Sequence, residues 1–191
     1  MMSSDNQKEH NDNHICSHKF AFMLDNWIRK LFQNPEKILK EYINPGDTVI
    51  DMGCGPGFFT IDIARMVGEN GKVIAVDLQK EMLARVSKKA ARKGVFGRVA
   101  YHRCEPDRIG LDKKADFILA YYMVHETRDP DAFLQEAKTL LNKEGRLLVV
   151  EPKMHVSRPA FEEILEAGKK AGLRSIDFPL KKGGHSVLFA R

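Results

Sequence analysis

Residues 49–60 read VIDMGCGPGFFT: an apolar run, an acid, then Gly53, Gly55 and Gly57 at every second position. Glycines so spaced let a backbone turn tightly and approach a ligand closely. The neighbouring residues narrow the choice of ligand. A nucleoside-triphosphate loop of the GxxxxGK[ST] kind needs a lysine, and this loop has none. A dinucleotide loop of the GxGxxG kind offers helix-terminal amides to a pyrophosphate. Here Phe58 stands where that pattern places its third glycine. Asp51, just before the turn, would repel a phosphate. An ammonium-bearing ligand without phosphate suits it better. Asp77 closes the next apolar run, KVIAVD. A carboxylate at such a strand end can accept hydrogen bonds from both hydroxyls of a ribose.

These residues need a scaffold that brings strand ends together. Residues 1–17 are polar and almost free of apolar side chains, which predicts a disordered tail. In residues 18–44, Phe20, Met23, Leu24, Trp27 and Leu31 recur at helical spacing. Asn34 followed by Pro35 reads as a cap and first turn, opening a second helix through Ile38, Leu39 and Tyr42. This segment is expected to be a helical extension, either docked on the core or serving as a lid. The domain proper runs over 45–191. Strands are predicted at 48–52, 72–77, 98–104, 115–121, 146–151, 173–178 and 185–190, with helices at 58–68, 80–94, 130–141 and 158–171. Alternation of this kind predicts an α/β fold, a doubly wound, mostly parallel seven-stranded sheet with helices on both faces. The connection PLKKGG (179–184) is too short for a parallel crossover, so the last strand is expected to be antiparallel. Ligands of open parallel sheets lie beyond the carboxyl ends of the strands. Asp51, Asp77, Glu105, Tyr121 and Glu151 all fall there.

An amino-acid end, a ribose and no phosphate together describe S-adenosylmethionine. VIDMGCGPG (49–57), VIAVD (73–77) and CEPDRIGL (104–111) resemble the successive cofactor motifs of class I S-adenosylmethionine-dependent methyltransferases, whose sheet is Rossmann-like. The resemblance spans about residues 45–190, and residues 24–60 are also similar to a group of small prokaryotic methyltransferases. It implies that Gly53, Gly55 and Gly57 admit the methionine moiety and adenosine, with Cys54 a small packing residue among them. Asp51 would act near the amino group, Asp77 would hold the ribose, and Leu78 would pack on the adenine. Glu105 matches the acid near the adenine amino group, with Pro106 or Asp107 as alternative contacts. Tyr121 would contribute backbone near the methionine carboxylate. S-adenosylmethionine is thus the expected donor and S-adenosylhomocysteine the product. A protein that binds the donor without catalysis is the alternative class.

Other residues beyond the strand ends could work on an acceptor. His125 and Glu126 follow the fourth strand, Glu151 and His155 flank the end of the fifth, and His185 opens the last. Such sets suit a general base, a metal or plain hydrogen bonding. His125 or His155 is the expected base, and no metal is assigned. His10, His14, Cys16 and His18 have zinc-ligand chemistry, but no second cluster at finger spacing follows them, so they are assigned to the tail.

Composition bounds the partners. At 191 residues, with 43% hydrophobic and 30% charged residues, the chain suits one globular domain. Its three scattered cysteines fit a reducing cytoplasm rather than a disulfide framework. There is no apolar signal core at the start and no apolar run of bilayer length. The net charge of +5 mixes 31 basic with 26 acidic residues, and SKKAARK (87–93) reads as a solvated helix end. After the fourth strand stands YYMVHE (121–126), not the Asn/Asp-Pro-Pro-Tyr/Phe motif of amino-methylating nucleic-acid enzymes. A small-molecule acceptor is therefore expected ahead of RNA or protein.

Replacing Gly55 by Val puts a branched side chain where the cofactor must come close and resists any positive φ. The variant is expected to lose S-adenosylmethionine binding while keeping its far-ultraviolet circular dichroism. Wild-type affinity in a titration would remove this loop from the cofactor site.

Overall fold

The computed structural model describes residues 33–179 and 184–191. The tail and the Phe20–Leu31 helix expected from the sequence lie outside the described residues. Asn34 caps the helix α1 (Pro35–Leu39), its side chain accepting from the backbone N–H groups of Glu36 and Lys37. The helix is shorter than its apolar spacing predicts, and Lys40–Tyr42 follow as turn. Leu39 is nonetheless fully buried, and the Tyr42 ring stacks on Phe117 of the sheet. This end of the extension is docked on the core.

Five strands run parallel: β1 (Thr48–Met52), β2 (Lys72–Asp77), β3 (Val99–Arg103), β4 (Ala115–Tyr121) and β5 (Leu141–Pro152). With β6 (Arg174–Asp177) and β7 (Gly184–Ala190) they form one sheet of order β3-β2-β1-β4-β5-β7-β6. β7 is antiparallel to both its neighbours, as its short connection requires. The order reverses at β1, so the crevice beside the carboxyl ends of β1 and β4 is the switch point where ligands of such sheets bind.

The helices α2 (Thr60–Met66), α3 (Lys80–Arg92), α4 (Pro130–Leu140) and α5 (Arg158–Lys170) cover both faces. Side chains alternate across a strand, and here both sides are apolar. Val49, Ala75, Phe117 and Leu148 pack towards α1, α2 and α3, whereas Ile50, Ile74, Ile118 and Leu147 pack towards α4 and α5. Caps fix where the second pair of helices begins. Asp129 accepts from Ala132 N–H and Ser157 from Ala160 N–H, each with a proline in the first turn.

Several element ends shift by a residue or two from expectation, and two starts have a visible cause. α2 starts at Thr60, because Gly57 donates to Cys54 O and keeps the glycine loop in turn geometry through Phe59. β5 starts at Leu141, directly after α4, pairs there with Ala115, and shifts register before Phe117 meets Arg146.

Gly168 shows how tightly α5 sits on the sheet. A Cβ there would lie 2.5 Å from Cζ of Phe189, a fully buried ring. Gly→Ala in a helix is ordinarily favourable by up to about 1 kcal/mol. Overpacking reverses the sign here, and Gly168→Ala is expected to destabilise the fold by about 1–3 kcal/mol, read as a lower urea midpoint.

Candidate active site

The glycine loop and the end of β2 are joined by one side chain. Asp77 Oδ2 accepts from Gly55 N–H at 2.9 Å, and Oδ1 accepts from Gln79 N–H at 2.8 Å. The carboxyl of this residue, which is only 8% exposed, therefore ties the loop after β1 to the start of α3. Burial pushes its pKa up, and the backbone hydrogen bonds oppose that shift. Asp51 is buried as well and accepts from Thr60 Oγ1 at 2.6 Å, linking β1 to the first turn of α2.

The three glycines differ in what they do. Gly55 has φ +50° and open space where a Cβ would stand. Gly57, at φ +80°, would put a Cβ 3.2 Å from Val86 of α3. It does not line the cavity, and its small size serves helix packing. Gly53 would press a Cβ against Met123, so it closes the loop onto the turn after β4.

A cavity of about 500 Å³ opens along this edge, within the usual range for small-molecule sites. Asp51, Gly53, Cys54, Gly55, Asp77, Leu78, Glu105, Pro106, Tyr121, His125 and His155 all line it. Its walls also carry Asp107, Glu126, Asp129 and Glu136, with Arg108 the one Lys or Arg among the described residues there. The wall is acidic in a chain of net charge +5, which suits a cationic ligand. Glu136 of α4 accepts from the N–H groups of Ile109 and Gly110, holding the loop of Glu105 and Pro106 in place.

Burial pushes the Cys104 thiol up to about 11 and the Cys54 thiol well above its ordinary value, with Asp77 adding to both. Both are held as neutral thiols, which are poor nucleophiles near pH 7.

The far half of the cavity is aromatic. The Tyr121 ring lies 4.4 Å from both Phe59 and Tyr122. Tyr122 takes φ +62°, a left-handed conformation costly for a bulky residue. Besides the Tyr121 ring, two hydrogen bonds hold it: its N–H donates to Val150 O at 2.7 Å, and its hydroxyl accepts from Gln33 Nε2 at 3.1 Å. Sequence patterning carries no signal for this strain.

Next to it, Glu151 is fully buried at the end of β5. Its Oε1 accepts from Val124 N–H at 2.9 Å, and its Oε2 bonds His125 Nδ1. The hydrogen bond to Glu151 raises the His125 pKa against the effect of burial, with the nearby charge of Glu126 adding to the rise. The His155 ring lies 6.2 Å from that of His125. The sequence places these residues at one edge but gives no sign that Glu151 and His125 touch. His185 sits opposite Glu151 in the β5–β7 ladder, yet its ring stacks on Phe161 and lines a separate groove with Lys153 and Arg158. Among the described residues, no group of three or more His, Cys, Asp or Glu could hold a metal ion. No helix among them is long and apolar enough to cross a membrane.

A crevice of this form at the switch point, with acids at the ends of β1 and β2, defines a nucleoside-binding Rossmann-like domain. The family described as "Methyltransferase domain" matches residues 43–176, and the chain belongs to the class I S-adenosylmethionine-dependent methyltransferases. A SAM-dependent methyltransferase from Aquifex aeolicus has the same fold at TM-score 0.81 and 30% identity, over 92% of this chain and 99% of that one. The ubiquinone/menaquinone biosynthesis C-methyltransferase UbiE of Escherichia coli O1:K1 is 32% identical over 126 residues, 65% of this chain and 49% of UbiE. The chain thus spans about half the length of the curated relatives it matches. The [4+2]-cyclase SpnF also shares the fold, at TM-score 0.64 and 21% identity, covering 78% of this chain and 58% of that one. Fold alone therefore does not fix the reaction.

The residues present fit S-adenosylmethionine, the cofactor of this family: open space beside Gly55, a buried acid at the β2 end and an acidic wall for a cation. Asp77→Asn leaves one amide oxygen to serve two backbone donors and removes the charge. Affinity for S-adenosylmethionine is expected to fall by about 1–3 kcal/mol, measured by calorimetry. The wild type should also bind more weakly as pH falls through the raised Asp77 pKa, because the ionised form is the acceptor. The Asn variant should lack that acid limb.

Proposed function

We propose that this protein transfers a methyl group from S-adenosylmethionine to a small-molecule acceptor lodged against Tyr122, His125, Phe133, Met154 and His155. The observation that carries the reading is that one cavity is lined both by the glycine loop and by these residues. Asp77 would hold the ribose, Leu78 would flank the adenine, and Asp51 would balance the ammonium end through its short link to Thr60. Glu105 and Pro106 would close the adenine side. When bound, the donor supplies a methyl carbon on a sulfonium, an electrophile that needs no activation by the protein. The work left to the chain is to align the acceptor, exclude water and, where needed, hold a proton.

The apolar lining from Phe59, Tyr121, Met123 and Phe133 favours an acceptor with an apolar or aromatic body. The acidic wall disfavours an anionic one. Carbon is one acceptor atom consistent with this, as in the C-methyltransferase UbiE. Cys54 and Cys104 are free thiols, in keeping with a reducing cytoplasm.

Calorimetry with S-adenosylmethionine, followed by incubation with methyl-labelled donor and a small-molecule extract of prokaryotic cells, tests the reading. The expected outcome is binding together with labelled organic product. Binding without label in any fraction would make this a cofactor-binding protein without catalysis, and label only in added RNA or protein would overturn the small-molecule acceptor.

A further inference from the structure

We infer that Glu151 and His125 act as a unit, with Glu151 the positioning residue that fixes the His125 ring so that Nε2 takes a proton from the methyl acceptor. The inference rests on the methyl-transfer reading above and deepens it. It says which histidine is the base and what the acceptor must bring: a hydroxyl or an acidic C–H whose proton has to leave.

Glu151 has no exposure at all. A buried acid is costly unless partners satisfy it. Both its oxygens go to one short turn, Oε1 to the backbone N–H of Val124 and Oε2 to the ring of His125. A carboxylate accepts only, so the neutral ring bonded to it carries its proton on Nδ1 and keeps its lone pair on Nε2. Nε2 makes no hydrogen bond among the described residues, and the side chain, 23% exposed, lines the cavity. His155 shares that wall, but its ring has no hydrogen-bond partner among the described residues, so nothing there selects its tautomer. The ladder explains how the pair comes about. β4 and β5 are adjacent and parallel, with Tyr121 beside Val150, so the turn after β4 starts next to Glu151.

In the step, the acceptor's proton moves to Nε2 of His125. The electron pair it leaves bonds the methyl carbon, and the pair of the broken carbon–sulfur bond stays on sulfur. Atoms and charge balance with no further reagent. The imidazolium formed lies against the fully buried Glu151 carboxyl, which offsets its charge.

Three titratable groups face the ring: Glu151 from β5, Glu126 on its own turn and His155 from the loop after β5. Contact with Glu151 raises the His125 pKa above its ordinary 6.5. The base works unprotonated, so the rate should climb with pH through that raised value. Loss of the Glu151 charge should move the climb to lower pH.

The test uses the full chain with histidine ¹⁵N-labelled, bound to S-adenosylhomocysteine and titrated from about pH 5 to 9, where imidazoles ionise. Long-range ¹H–¹⁵N spectra should show neutral His125 protonated on Nδ1, with a pKa above 6.5 in the wild type that drops towards 6.5 in Glu151→Gln. Labelled product from the same extract should fall about 10²–10⁴-fold in His125→Gln and at least about tenfold in Glu151→Gln, with its pH limb shifted down. Affinity for S-adenosylhomocysteine should stay in both variants. A wild-type ring protonated on Nε2 overturns the proposal, and this result stands even if Glu151→Gln fails to fold. An unchanged His125 pKa in a folded Glu151→Gln, or undiminished product, overturns it equally. Failure of the wild type to bind either form of the cofactor is a different result, and brings down the methyl-transfer reading itself.

Discussion

The glycine-loop half of the site is organised around the buried carboxyl of Asp77. Asp77 accepts from Gly55 on one side and from Gln79 on the other, so the loop after β1 and the start of α3 are held at a fixed separation. Neither partner is a side chain, so the link survives changes of neighbouring residue type as long as the backbone keeps its path. That path needs φ +50° at Gly55, a conformation cheap only for glycine. The acid and the glycine therefore depend on each other. Without Asp77 the Gly55 amide would lose its partner, and with a larger residue at 55 the turn that presents the amide would be strained.

The second half of the cavity follows the same logic at the next pair of strand ends. Glu151 accepts from Val124 and from His125, and so fixes the turn after β4 as Asp77 fixes the turn after β1. Tyr122, forced into a left-handed conformation between β4 and that turn, is held by Val150 of the same β5. Strain of about 1–3 kcal/mol at such a residue persists only where its surroundings over-determine it. Here the determinants are a backbone bond to β5, a hydroxyl bond to Gln33 and ring contact with Tyr121. Residue 33 lies just before α1, whose Leu39 is sunk in the core, so Gln33 ties the start of α1 to the aromatic wall of the cavity.

Charge is distributed against the average of the chain. The molecule is basic overall, yet acids crowd the cavity and basic residues line the outer helix ends. S-adenosylmethionine carries a sulfonium that its product lacks, and an acidic wall is complementary to that charge.

The sequence by itself determined the strand–helix alternation, the antiparallel last strand and the acids and glycines of the first crevice, because these are local: apolar periodicity, a short connection, a loop within a dozen residues. It also placed Asp51, Asp77, Tyr121 and Glu151 at strand ends, since a parallel sheet turns chain position into spatial position. Where the loop geometry extended into the helix, as at Phe58 and Phe59, periodicity alone set the start of α2 two residues too early. Tertiary structure decided what crosses between strands. Gly57 packs against Val86 rather than lining the cavity, His185 turns to Phe161, and His125 rather than His155 meets Glu151. Each depends on the register and separation of elements distant in sequence, and on which way a ring rotates once its neighbours are packed. Residue type and spacing along one chain carry no record of that.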